Sequence, residues 1–238
     1  IIFKTNKENA FEPSAFAENG TSFRDYLHNY LSRAEMQWTT LGIDLLLGIG
    51  ADKTMTTVEC MFLPDYLAQG VSLAVKGKSK LVERDQVYLP NAQEPPVKLP
   101  FWQTPLFCFS ILAFLVILPS FFRANRLAAL QSVMDRIIFV FSGLLGLLLL
   151  FMWFGTDHQS FANNLNLVWA MPINLLTAFS LNRPRKWLKT YLRYHSLLLL
   201  VLMILVLLQP GIINIGLCPL IVVLSFRSWM LSKDEKKC

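Results

Sequence analysis

The chain has 238 residues, 54% hydrophobic and only 16% charged, with mean hydropathy +0.44 and a formal net charge of +6. A soluble domain of this length needs a wetter surface, so a disordered chain, a disulfide scaffold and a purely cytosolic enzyme are excluded. Residues 1–100 carry 10 Lys+Arg against 12 Asp+Glu, whereas residues 101–238 carry 12 against 4, so the excess positive charge sits wholly in the apolar part. That placement points to a membrane rather than to nucleic acid. No Rossmann, P-loop or zinc spacing occurs, and no cofactor or metal is expected. Cys60, Cys108, Cys218 and Cys238 are too scattered for a disulfide framework, and Cys108 and Cys218 fall in apolar runs where a thiol acts as a small buried hydrophobe.

The chain begins Ile-Ile-Phe-Lys without a basic-then-apolar leader. Either an upstream segment has been removed or the chain is a piece of a longer protein. Residues 1–20 read as an irregular connector containing Pro13, Asn19 and Gly20. From Ser22, Phe23, Tyr26, Leu27, Tyr30 and Leu31 recur at helical spacing, with Thr21 or Ser22 as the cap. LGIDLLLG, ended by Gly48 and Gly50, is a short buried helix or a strand, and Asp44 within it needs a partner. Thr56 or Thr57 starts another short helix, broken at Pro64, after which Asp65 caps a helix to about Val75. LVERDQVYL at 81–89 reads as a strand or extended segment, and four prolines between 90 and 100 make a stiff linker. These pieces bury little alone, so the outer half reads as the closing part of a larger, mainly helical α+β domain.

Five apolar segments follow: Pro105 to Phe122, Ile137 to Phe154, about Leu165 to Leu181, a fourth containing Leu197 to Leu208, and about Ile212 to Phe226. The first two are uncharged and long enough to approach the roughly 20 residues a bilayer needs. The third holds Asn166, Pro172 and Asn174, and Gln209-Pro210-Gly211 closes the fourth. The last two segments could instead form a hairpin that dips in without crossing, but the charges argue otherwise. Arg123, Arg126 and Arg136 follow the first segment, Arg183, Arg185, Lys186, Lys189 and Arg193 the third, and Arg227, Lys233, Lys236 and Lys237 the fifth, while loops 155–164 and 209–211 have no Lys or Arg. The positive-inside rule then gives five crossings with a cytoplasmic C-terminus and residues 1–100 outside, which in a bacterium is the periplasm. Trp102, Trp153, Trp169, Trp187 and Trp229 read as interfacial anchors.

The expected layout is therefore a partial periplasmic domain over 1–89, a Pro-rich linker over 90–103, a five-helix transmembrane domain over 104–231 and a tail over 232–238. TSFRDYLHNYL, GIDLLLGIGADK and MFLPDYL resemble the end of a periplasmic domain, and TDHQSFANNLNLVWAMPINLL the membrane part, of the bacterial Lnb-type membrane family associated with lipoprotein N-acylation. The resemblance implies an inner-membrane protein that transfers an acyl group to the N-terminal amine of a lipoprotein, with membrane phospholipid as acyl donor. It also implies a catalytic Cys and His in the first part of the periplasmic domain. No cysteine here stands in a matching motif, Cys60 included, so the reactive pair is expected upstream of Ile1. The alternative is a non-catalytic integral membrane module that docks periplasmic lipoproteins or partner proteins.

The polar residues of the loop after the second segment are the candidate lipid or substrate site: Asp157, His158, Asn163, Asn164 and Asn166. His158 would serve as an accessory acid, base or donor near the headgroups. Helix capping by Asp157 and the asparagines, with His158 merely wetted, is the ordinary reading of the same residues. Asp44, Asp52 and Asp65 read as caps and turn residues, and His28 and His195 as surface residues.

Overall fold

A computed structural model describes residues 20–76, 79–80, 82, 98–122, 125–181 and 186–233. The expected connector at 1–19, the extended segment at 83–89 and the linker at 90–97 lie outside the described residues, as do Arg123, Arg183, Arg185, Lys236 and Lys237. The chain divides into two compact units, one of residues 1–34 and 51–97, the other of 35–50 and 98–238.

In the first unit, α1 (Phe23–Arg33) starts where Ser22 and Asp25 form a reciprocal capping box. The two hydrogen bonds from Ser22 hold the Asp25 carboxyl below its ordinary range. Thr56 and Glu59 repeat the device at α3 (Thr57–Cys60). Helix α4 (Pro64–Ser72) begins with Pro64 in its first turn, where the missing N–H costs nothing, and Asp65 sits in that turn rather than at the cap. Tyr26, Cys60 and Leu63 form a small core, with Tyr66 edge-on to Tyr26 at 5.0 Å. Thr21 and Met55 join backbones at 3.0 Å, and Arg24 pairs with Asp52 at 2.6 Å. The only strands among the described residues are β1 (Val75–Lys76) and β2 (Ser79–Lys80), an antiparallel pair.

The second unit is helical. Helix α2 (Gln37–Leu46) resolves the helix-or-strand alternative at LGIDLLLG. Residues 35–50 cluster with the transmembrane helices, although the sequence placed them in the outer half. Then come α5 (Pro105–Ile117) with a 3-10 turn to Phe121, α6 (Asn125–Phe154), α7 (Ile173–Ser180), α8 (Lys186–Leu208) and α9 (Cys218–Lys233). Three helical stretches are long and apolar enough to cross a membrane, Ala128–Phe154, Lys186–Leu208 and Ile215–Lys233, and Pro105–Phe121 is a shorter apolar one. Helix α6 begins twelve residues before the apolar run that marks it, and at 30 residues it extends about 45 Å. The part of α6 before the apolar run includes Asp135, which has a buried partner described below.

The third apolar segment is not a continuous helix. A 3-10 turn at Leu165–Val168 precedes an unwound stretch at Trp169–Met171, and α7 restarts at Pro172 for eight residues. Pro172 supplies no N–H to the turn before it, so it serves as the N-cap of a new helix instead of continuing an old one. The segment still runs from the α2 end of the unit, where Asn166 meets α2, toward the opposite end along α6. Two glycines of α6 allow that approach. A Cβ on Gly146 would lie 2.0 Å from the Ala170 carbonyl oxygen, and one on Gly143 would lie 2.4 Å from the Leu175 nitrogen. Small residues at such crossings let backbones meet closely where water provides no hydrophobic drive. Trp169 corrects the anchor reading: it is 1% exposed and lies inside the bundle.

Gly146→Ala is expected to destabilise the detergent-solubilised protein by roughly 1–3 kcal/mol, because the obstructing atoms are backbone. Leu144→Ala on the exposed face of the same turn is the control, and thermal unfolding followed by near-ultraviolet circular dichroism compares the two.

Candidate functional site

The helices bring polar side chains together in three places within the second unit. The first is the α2 end. Asn164 Nδ2 donates to the Leu45 and Leu46 carbonyls at 2.9 and 2.8 Å, and Asn166 Nδ2 donates to those of Asp44 and Leu45 at 3.0 and 3.2 Å. These are the last carbonyls of α2, which have no partner within their own helix. Asn164 Oδ1 in turn accepts from the Asn166 backbone N–H at 2.8 Å, and Asn166 Oδ1 accepts from Trp169 Nε1 at 3.0 Å. Asp44 finds the partner its burial demands, since Asn214 Nδ2 donates to its carboxylate at 2.7 Å. Trp38 Nε1 donates to the Gln103 carbonyl at 2.8 Å, and Gly48 N–H to that of Ser160 at 2.9 Å. A Cβ on Gly48 would lie 1.9 Å from the Ala162 oxygen, so this segment meets the 155–164 loop backbone to backbone.

The candidate site residues therefore separate. Asn164 and Asn166 are buried at 4% exposure and hold α2. Asn163, in the left-handed region at φ 56°, turns the chain into them and stays exposed. Asp157 and His158 are exposed on the loop, the His158 ring lying edge-on to Phe161 at 5.6 Å.

The second cluster lies deeper. Asn174 Nδ2 donates to Ser142 Oγ at 3.1 Å and to the Trp169 carbonyl at 3.2 Å, while the Tyr191 hydroxyl donates to Asn174 Oδ1 at 2.6 Å. The Trp169 carbonyl belongs to the unwound stretch, so Asn174 satisfies one of the groups the broken helix leaves open. Tyr191 stacks on His195 at 5.2 Å, and His195 Nδ1 lies 3.0 Å from Ser228 Oγ. His195 is 2% exposed, which corrects its reading as a surface residue. It stands one helical turn beyond Tyr191, on the face of α8 that meets α9.

The third cluster, at the opposite end, was not read from the sequence. Arg227 Nε and Nη2 donate to the two carboxylate oxygens of Asp135 at 2.6 and 2.7 Å, a bidentate pair with both residues buried. Arg227 Nη1 donates to Ser120 Oγ at 2.7 Å, and the Gln131 amide, turned with its oxygen toward the guanidinium, accepts from the same nitrogen at 2.6 Å. The signal was present: Asp135 and Asp157 are the only acidic residues between 101 and 233, and an acid beside an apolar run is expensive unless paired.

The one hydroxyl–imidazole pair among these clusters, Ser228 with His195, is buried at 0% and 2% exposure. Cys60 is fully buried, its thiol donates to the Thr57 carbonyl at 3.0 Å, and burial pushes its pKa up, so it is an inert packing residue. Among the described residues no group of three or more His, Cys, Asp or Glu is placed to hold a metal ion. What the arrangement does is positional. It fixes a non-spanning helix across one end of the bundle and locks three passes together at the other.

Removing one partner of the buried ion pair, by Asp135→Ala or Arg227→Ala, is expected to cost about 3–5 kcal/mol, and the Asp135→Leu/Arg227→Met double variant to recover most of it. Thermal unfolding in detergent measures both. Asn166→Leu removes a donor from the Asp44 carbonyl and one of the two at Leu45, so faster hydrogen exchange is expected across residues 37–46, with the α8 core unchanged.

The family model of the Lnb transmembrane domain matches residues 98–237. No curated protein matches the chain, and neither does any solved structure. The matched span takes in every described element of the second unit from the 3-10 turn at Phe101–Gln103 to the end of α9, and leaves out residues 35–50 with α2. A multi-pass helical membrane unit of this extent, coincident with the family's own domain, places the chain in the Lnb transmembrane domain family.

Proposed function

We propose that this chain is the membrane-anchored portion of a bacterial lipoprotein N-acyltransferase, which transfers an acyl group from membrane phospholipid to the N-terminal amine of a lipoprotein. The family match over residues 98–237 is the observation that carries this reading. The α2 end of the bundle then faces the periplasm and the Asp135–Arg227 end the cytoplasm. The distribution of charge supports that orientation. Arg136, Lys186, Lys189, Arg193 and Lys233 lie toward the Arg227 end, while loop 155–164 and the turn at 209–211 contain no Lys or Arg.

In this reading the membrane unit does no covalent chemistry. Acyl transfer through a thioester needs a thiolate and a base. Cys60, in the first unit, is closed off by burial; in the membrane unit Cys108 has its thiol turned to the Trp102 carbonyl at 3.5 Å and Cys218 packs against the hydrophobic core at the start of α9. The reactive cysteine and histidine are therefore assigned to another part of the protein, and the bundle holds that part at the headgroup level. Asp157 and His158, exposed on the periplasmic loop, are the side chains best placed to meet an ester or headgroup there.

Mass spectrometry of N-terminal lipopeptides from cells with and without this protein tests the reading. Lipoproteins are expected to keep a free α-amine when it is absent and to regain the amide-linked acyl chain when the full protein is restored. Identical N-acylation in both strains would overturn the reading. His158→Ala in the restored protein is expected to lower the acylated fraction without changing the amount of protein in the membrane.

A further inference from the structure

Consecutive antiparallel helices joined by a short connection ordinarily pack along their length. Helices α5 and α6 do not. Among the described residues their backbones approach each other little, while α5 packs on α9 and α6 on α7. The closest backbone approach is that of the 3-10 turn after α5 to α6, at the Asp135–Arg227 end, where Ser120, Gln131, Asp135 and Arg227 hydrogen-bond, while α5 itself meets α6 through side chains, Met134 and Ile138 packing on Ala113 and Val116. The pair is thus pinned at one end and splayed above it.

The splay opens a cleft of about 280 Å³. Its floor is Val116, Trp169 and Leu224, each buried at 1–2% exposure, and its rim is Leu112, Ile137 and Phe141, exposed at 40%, 56% and 58%. Ser142 is the single polar side chain in the lining, and its hydroxyl is already engaged with Asn174 and the Phe139 carbonyl. Water has no partner in such a space, and apolar cavities stay dry. Left empty, the floor side chains would lose their dispersion contacts on one side. The cleft flanks two helices long enough to span a membrane, so its occupant comes from the hydrocarbon layer.

We propose that this cleft holds one hydrocarbon chain of a bilayer lipid, inserted between α5 and α6 until it touches Trp169. A second copy of the chain fits less well. Helices associate in membranes through small residues that let backbones approach, whereas this rim is built of Leu, Ile and Phe. A flexible acyl chain fills a narrow slot between large side chains without needing that approach. The site is independent of the acyl-transfer reading, because it follows from packing alone.

Tryptophan quenching by lipids brominated at mid-chain tests it. The full chain keeping only Trp169, with Trp38, Trp102, Trp153, Trp187 and Trp229 changed to Phe, is reconstituted in brominated and unbrominated phosphatidylcholine vesicles. Although almost fully buried, Trp169 is expected to lose as much emission as a tryptophan placed by Leu148→Trp on the exposed face of α6. Filling the slot with Leu112→Phe and Val116→Phe should restore much of the emission. Should the multiple replacement fail to fold, a phosphatidylcholine with a mid-chain diazirine is photolysed with the unaltered protein. Adducts are then expected on Val116, Trp169 or Leu224. Unquenched Trp169, adducts confined to outward residues such as Phe114 and Leu115, or protein–protein crosslinks from a photoreactive residue at Phe141 would each overturn the proposal.

Discussion

A polar group buried among apolar helices must find its partner within the protein, because no water is there to take its place. In this chain that constraint falls hardest on Asp135 and Arg227, which are buried at 0% and 4% exposure and meet through two hydrogen bonds. Neither would tolerate the apolar interior alone. Their union fixes α6 against α9, and through Ser120 it draws in the end of α5. The cleft floored by Trp169 opens between the same two helices, α5 and α6.

The same constraint explains the third pass. A helix broken before Pro172 leaves backbone groups open inside the bundle, and Asn174 answers one of them, the Trp169 carbonyl, while Asn166 before the break holds the Trp169 indole and the end of α2. Their amides can donate and accept at once, which an apolar residue of similar size cannot. Asn166 spends its donors on the end of α2 and its acceptor on the Trp169 indole, so α2, the loop and the broken pass form one connected polar network. That network fixes α2 to the membrane bundle at one end.

Much of this was legible in residue order. Ser22 and Thr56 announced their helices by capping chemistry, and Asp44 inside an apolar run announced that a partner existed without saying it was Asn214. The long apolar runs gave the membrane helices but not their starts, since α6 continues through charged residues that only a tertiary partner makes affordable. Composition likewise marked Asn166, Pro172 and Asn174 as irregular, yet the break they produce depends on which carbonyls lie opposite. Trp169 and His195 were misread because an aromatic or a histidine near a segment end has the same sequence signature whether it faces headgroups or a neighbouring helix. The candidate site divided for a similar reason. Asp157 and Asn166 are close in the chain, but a left-handed turn at Asn163 sends one to the surface and the other under α2.

The central structural claim is that the interrupted third segment crosses the membrane rather than turning back within it. Single cysteines at Asp157, Lys186, Gln209 and Lys233, in a chain whose native cysteines are replaced, can be labelled in sealed vesicles with a membrane-impermeant maleimide. Positions 157 and 209 should react from one side, and positions 186 and 233 only after the vesicles are opened. Labelling of 157 and 186 from the same side would contradict the account.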